Sequence, residues 1–140
     1  MRNIIIASSL CLLMVGAFAE TYISGSLSGT LYRDLSPYFI VSNVEIQPGD
    51  SLIVEDGVEI IFSGYYRLTV RTNAVLKCRG TFADSVRVTA TNHTAGFNSI
   101  VFENASPACS LEYCAIEYGN INGFYPYIFG GAIMLNNTDA

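Results

Sequence analysis

Acid–base work in this chain would fall to one histidine and a handful of carboxylates, and their surroundings argue against a catalytic set. His93 is the only histidine and sits in Thr91-Asn92-His93-Thr94-Ala95-Gly96. A catalytic imidazole needs a nucleophile or a carboxylate held against it, and this stretch supplies only Thr and Asn, so His93 reads as a loop residue. Glycoside hydrolysis needs two opposed carboxyl groups. Glu55, Asp56 and Glu59 are close in sequence but fit a charged turn and the outer face of a strand. Glu112 and Glu117 alternate with Leu111, Tyr113, Ile116 and Tyr118 and read as a solvent face. No catalytic residue is assigned.

Metal and cofactor chemistry finds no better footing. Beyond Cys11, the cysteines are Cys78, Cys109 and Cys114, with no CxxC pair to accompany the lone histidine. Zinc would want paired ligands at short spacing. Asp50, Glu55 and Asp56 do not make an EF-hand loop, and the glycine and aspartate nonapeptide of calcium-binding solenoids is absent. No cofactor or metal is expected. The three cysteines alternate with apolar neighbours, which favours thiols packed as small hydrophobes; one disulfide with one thiol left over is the alternative.

One segment suggests contact with a partner. Asn120-Ile121-Asn122-Gly123-Phe124-Tyr125-Pro126-Tyr127-Ile128-Phe129 is an aromatic insertion between strand-like runs. Aromatic faces beside amides are what sugar rings and protein surfaces stack upon. Phe124, Tyr125, Tyr127 and Phe129 are the candidate contact residues, and a loop folded back over the body is the plainer reading. The sequons at Asn92, Asn104 and Asn136 matter only in a host that glycosylates exported proteins.

The elements that must position these residues are strands. Ser51–Val54, Val58–Phe62, Arg67–Val70, Ala74–Cys78, Ser85–Thr89 and Ser99–Phe102 are short, rich in β-branched and aromatic residues, and patterned with a period of two. Pro48-Gly49-Asp50, Glu55-Asp56-Gly57, Ser63-Gly64, Thr72-Asn73, Arg79-Gly80 and Asn92-His93 separate them as turns. No stretch after Ala19 has the spacing of an amphipathic helix, so the fold class is all-β. Laying Leu52, Leu68, Val86 and Ile100 under one another gives steps of 16, 18 and 14 residues. Irregular steps of this kind suit a solenoid whose coils differ in loop length; a β-sandwich is the alternative.

Ahead of the strands, residues 1–19 read as a signal peptide. Arg2 gives a positive start, Ile4 to Val15 carry no charge, and Ala17-Phe18-Ala19 offers the small residues of a cleavage site. The apolar run is too short for a membrane span, which needs roughly 20 residues. Cleavage before Glu20 would leave six basic residues against twelve acidic, a net charge of −6. Such a chain lacks the basic footprint of a nucleic-acid binder. The expected location is outside the cell or on its surface, with no membrane span in the processed chain.

From about Tyr38 onward the chain resembles the N-terminal region of the right-handed parallel β-helix repeat proteins secreted by many bacteria. Ser36-Pro37-Tyr38-Phe39-Ile40-Val41, Ile46-Gln47-Pro48-Gly49-Asp50-Ser51-Leu52-Ile53-Val54-Glu55-Asp56-Gly57-Val58 and Leu68-Thr69-Val70 carry the resemblance. So do Gly80-Thr81, Gly96-Phe97-Asn98-Ser99-Ile100-Val101-Phe102, Leu111-Glu112-Tyr113-Cys114-Ala115-Ile116-Glu117-Tyr118-Gly119 and Gly130-Gly131-Ala132-Ile133. Two positions depart from the pattern: Phe97 stands where a Trp is frequent, and Asn73 where a glycine is. Phe fills an apolar slot, and Asn tolerates the left-handed conformation.

The resemblance implies a right-handed parallel β-helix, with residues 20–43 as an N-terminal lead-in or cap and residues 44–140 as its first coils. Because only Asn136-Asn137-Thr138-Asp139-Ala140, with no closing segment, follows the strand-like Gly-Gly-Ala-Ile-Met-Leu, we expect an incomplete helix, with a short chain that dimerises as the alternative. The implied function is a structural or recognition module of a secreted or surface protein, contacting polysaccharide or another surface protein. Two alternatives are the opening part of a polysaccharide lyase or hydrolase, and a carbohydrate-binding sandwich.

Overall fold

The computed structural model describes residues 20–121 and 131–138. The signal-peptide reading of residues 1–19 and the contact residues Phe124, Tyr125, Tyr127 and Phe129 fall outside the described residues.

Strand-forming runs fold here into a stack of coils. The strands are β1 (Thr21–Ser26), β2 (Gly29–Leu31), β3 (Tyr38–Ile46), β4 (Ser51–Val54), β5 (Glu59–Phe62), β6 (Arg67–Val70), β7 (Val75–Arg79), β8 (Val86–Ala90), β9 (Ser99–Glu103), β10 (Ser110–Glu112), β11 (Cys114–Ile116) and β12 (Ile133–Asn136). Every pairing between them is parallel. A sandwich of this size would be built from antiparallel strands, so the all-β chain forms part of a parallel β-helix. The segment read as a lead-in contributes β1 and β2, which already pair with β3 and β4 of the next coil.

Three faces result. The first stacks the start of β3, β5, β8 and β11; the second stacks the end of β3, β6, β9 and β12; the third stacks β2, β4, β7 and β10. β3 runs through the corner between the first two faces, joining them into one bent sheet. Inward side chains form columns one residue wide: Val44, Leu68, Ile100 and Ile133 on the second face, and Leu31, Val54, Cys78 and Leu111 on the third. Below Ile133, which is exposed, the columns belong to one continuous apolar core, with Leu111 partly buried against it. Burying each such aliphatic side chain is worth about 1.5–3 kcal/mol. The stack continues through the corners, where the Ser63 N–H donates to Ile40 O and the Thr91 N–H to Phe62 O.

The register corrects the alignment read from the sequence. Leu52, Leu68 and Val86 stand on the third, second and first faces, so the steps of 16 and 18 lead round the coils rather than up a column. Within that alignment only Leu68 and Ile100 share a column. The physical reason is that a coil has three inward strands of similar composition, and their apolar patterns do not say which face each occupies.

Cysteine burial is also uneven. All three are free thiols; Cys78 is buried in the core as expected, whereas Cys109 and Cys114 are only partly covered. Among the described residues, no group of three or more potential ligands is placed to hold a metal, and no helix is long and apolar enough to cross a membrane.

Candidate functional site

Solenoids keep their strands in register and vary their loops, so the corner with the longest insertions is the natural place to look for a site. That corner lies between the first and second faces. β3 passes through it without a break, whereas residues 63–66 and then 91–98 form progressively longer connections in the next two coils.

These loops are built by specific local chemistry. Asn92 Oδ1 accepts from the backbone N–H groups of Thr94 and Ala95, and the Gly96 N–H donates to Asn92 O, closing a tight turn. Gly96 has φ +69, and a Cβ there would sit 2.2 Å from Tyr118 O. Only glycine lets the coil above come this close. Phe97 then enters the core and bridges to Gly119. His93 lies flat on Tyr118, with ring centroids 4.0 Å apart and planes 4° from parallel. Tyr65 OH donates to Asn120 O at 2.6 Å, tying the 63–66 loop to the coil two above it.

Beside this corner, on the outer side of the second face, is a groove of about 500 Å³. Asn43, Glu45, Tyr65, Arg67, Arg71 and Asn98 line it, with Ser26 at its lower end. The strand register brings them together: Val44 stacks under Leu68 and Leu68 under Ile100, so the preceding residues Asn43, Arg67 and Ser99 also form a column. Asn43 Oδ1 accepts the Arg67 backbone N–H at 3.0 Å, and Asn98 Oδ1 accepts from Arg67 Nε at 3.3 Å and from Ser99 Oγ at 2.7 Å. These acceptor contacts orient both amides, leaving each Nδ2 directed elsewhere.

The groove's other charges are internally matched. Arg71 reaches Glu45 at 2.8 Å and Glu103 at 2.7 Å, and Gln47 Nε2 donates to the second oxygen of Glu45. Arg71, and next Gln47, hold the Glu45 carboxyl below its ordinary range, while desolvation opposes the shift.

The carboxylates singled out from the sequence are elsewhere and engaged. Glu59 and Glu117 flank Arg87 from the coils below and above, each at 3.1 Å. Arg33 holds Asp56 at 3.2 Å and Asp84 at 2.8 Å, and its backbone N–H donates to Glu55. A second polar hollow of about 310 Å³ lies among Arg33, Glu59, Asp84 and Arg87. Both of its arginines are already paired with two carboxylates. Glu112 is exposed, and its carbonyl accepts the Gly80 N–H.

Asn43, Tyr65, Arg67 and Asn98 were not selected as functional residues from the sequence. Their signal is positional: each of Asn43, Arg67 and Ser99 immediately precedes an inward aliphatic residue of the second face. That pattern becomes visible only once the column register is known.

Comparison with known proteins adds no assignment: no family model, no curated protein and no solved structure matches the chain.

Proposed function

We propose that this chain belongs to an exported parallel β-helix protein of the bacterial secreted repeat kind, and that it recognises a polysaccharide. The groove beside the loop-bearing corner is the binding site. One observation carries the reading: the only corner whose connections lengthen coil by coil among the described residues borders a groove lined by amides, charged groups and the half-exposed Tyr65. Sugar hydroxyls are recognised by planar polar groups, and sugar rings by aromatic faces. Long loops on one side of a solenoid are where such surfaces arise. The apolar segment before Glu20 supports export, and the role is binding rather than turnover.

The test is to express the full chain in a secreting host and determine the N-terminus of the exported product, expected at Glu20. The purified product is then screened against immobilised neutral and acidic polysaccharides. Retention on at least one polymer, lost in the Asn43→Ala/Tyr65→Ala double variant, is the expected result. A folded product retained by no polysaccharide would sink the reading.

A further inference from the structure

The groove contains more hydrogen-bond donors than acceptors once its internal contacts are assigned. Asn43 Oδ1 and Asn98 Oδ1 are both occupied by Arg67, through its backbone N–H and its Nε. Glu45 is occupied on both oxygens, by Gln47 and Arg71, and Ser26 Oγ accepts from Gln47 Nε2. Besides the Thr69 hydroxyl, which can donate or accept, the groups lining the groove without a hydrogen-bond partner among the described residues are the Nδ2 of Asn43, the Nδ2 of Asn98 and the two terminal nitrogens of Arg67. These amide and guanidinium nitrogens only donate.

Charge points the same way. Arg33, Arg71 and Arg87 each bridge two carboxylates from different coils. Arg67 makes no ion pair among the described residues; its side chain meets only the neutral amide of Asn98. Lys77 and Arg79 also lack ion pairs there, but they line none of the grooves described above. Arg71 is held by Glu45 inside the groove and by Glu103 at its edge, which leaves Arg67 as the one guanidinium lining the groove without a carboxylate of its own among the described residues. A guanidinium with two free parallel N–H groups matches a planar or tetrahedral oxyanion.

We infer that the groove takes an anionic polysaccharide, with a carboxylate or sulfate ester of the polymer received by the Arg67 guanidinium and the Nδ2 groups of Asn43 and Asn98. This rests on the reading of the groove as a polysaccharide site and specifies its ligand class. A neutral sugar would leave the Arg67 charge without a counterpart, whereas an acidic one supplies the acceptors that the groove lacks.

The experiment is affinity electrophoresis of the full chain in gels containing polygalacturonate, fully methyl-esterified polygalacturonate, a sulfated galactan, or its unsulfated counterpart. The expected result is retardation by at least one charged polymer, about tenfold or more stronger than by its uncharged partner. Which charged polymer retards the protein identifies the anion. Arg67→Gln should weaken that binding by about tenfold or more. Asn98→Asp should do the same while keeping the acceptor for Arg67 Nε, because it gives the guanidinium a carboxylate of its own; this variant guards against misfolding of the first. Equal retardation by charged and uncharged polymers overturns the anionic ligand and leaves polysaccharide recognition standing. Charged-polymer binding unchanged in both variants overturns the assignment to Arg67. Retardation by none of the polymers overturns the inference together with the reading beneath it.

Discussion

Phe97 lies against Phe62 of the coil below with ring centroids 4.4 Å apart and planes 8° from parallel. Both rings are almost wholly buried. Phe97 follows the 91–96 turn, so this contact fastens a loop of the candidate corner to the core. Phe97→Ala should lower stability by about 3–5 kcal/mol, since it deletes a fully enclosed ring between stacked coils. Urea denaturation checks this: the midpoint should fall, and Phe97→Leu should recover part of the loss.

Gly80 offers a test of how closely the coils approach. A Cβ at this position would stand 2.3 Å from Tyr113 O and 2.7 Å from Glu112 O, both backbone atoms of the coil above. The same glycine donates its N–H to Glu112 O at 2.9 Å. Gly80→Ala therefore has to push the β10–β11 corner away and stretch that bond, and a loss of about 1–3 kcal/mol is expected. Gly131→Ala is the control, because a Cβ there meets nothing within 4 Å; its effect should stay within about 0.5 kcal/mol. Comparing thermal melts of the two variants separates close approach from a general cost of replacing glycine.

Local features of the fold were legible in the sequence because they depend on few residues. The strands Ser51–Val54 and Arg67–Val70 have the bounds that alternation predicts. Gly49, Gly57 and Asn73 have φ of 80°, 71° and 56°, as their turn positions require. Column register was not legible. Leu52, Leu68 and Val86 carry nearly the same apolar pattern, and which face each joins depends on loop lengths that differ from coil to coil. The candidate site was hidden for the same reason. Asn43, Arg67 and Asn98 are unremarkable polar residues until the second face stacks Asn43 under Arg67 and Arg67 under Ser99, which brings Asn98 against the Arg67 side chain.

Cys78 should behave as an inert thiol. It is 3% exposed. The neighbouring Cys114 thiol, and next its burial, push its ionisation far above the ordinary thiol range. Alkylation needs the thiolate, so iodoacetamide should leave Cys78 unmodified in the native protein at pH 8. Raising the pH to about 9.5, which ionises an ordinary thiol of pKa near 8.5, should not change that. Denaturant should expose it. Peptide mass mapping after a short pulse reads the result, with the partly covered Cys109 and Cys114 modified first. Native labelling of Cys78 at a rate comparable to theirs would contradict the burial argument.

Arg71 joins three coils through two carboxylates, Glu45 from the coil below and Glu103 from the coil above. All three side chains are about a third or more exposed, so solvent screens the pairs and each is worth at most about 1 kcal/mol. Their contribution should nevertheless carry a recognisable pH signature. Glu45 has its carboxyl depressed in the folded chain, chiefly by Arg71. A depressed carboxyl stabilises the fold above its unfolded pKa, near 4.3, and that stability is lost as pH falls through the folded value. Arg71 stays protonated throughout, so it adds no pH dependence of its own. Arg71→Gln should thus be less stable than the parent by about 1 kcal/mol at pH 7, and the gap should narrow below about pH 4. High salt should narrow it at neutral pH as well, because the ladder is exposed. Urea unfolding of both proteins across that pH range decides the matter: a gap of constant size down to pH 3 would mean that Arg71 acts through packing of its aliphatic stem rather than through its charge.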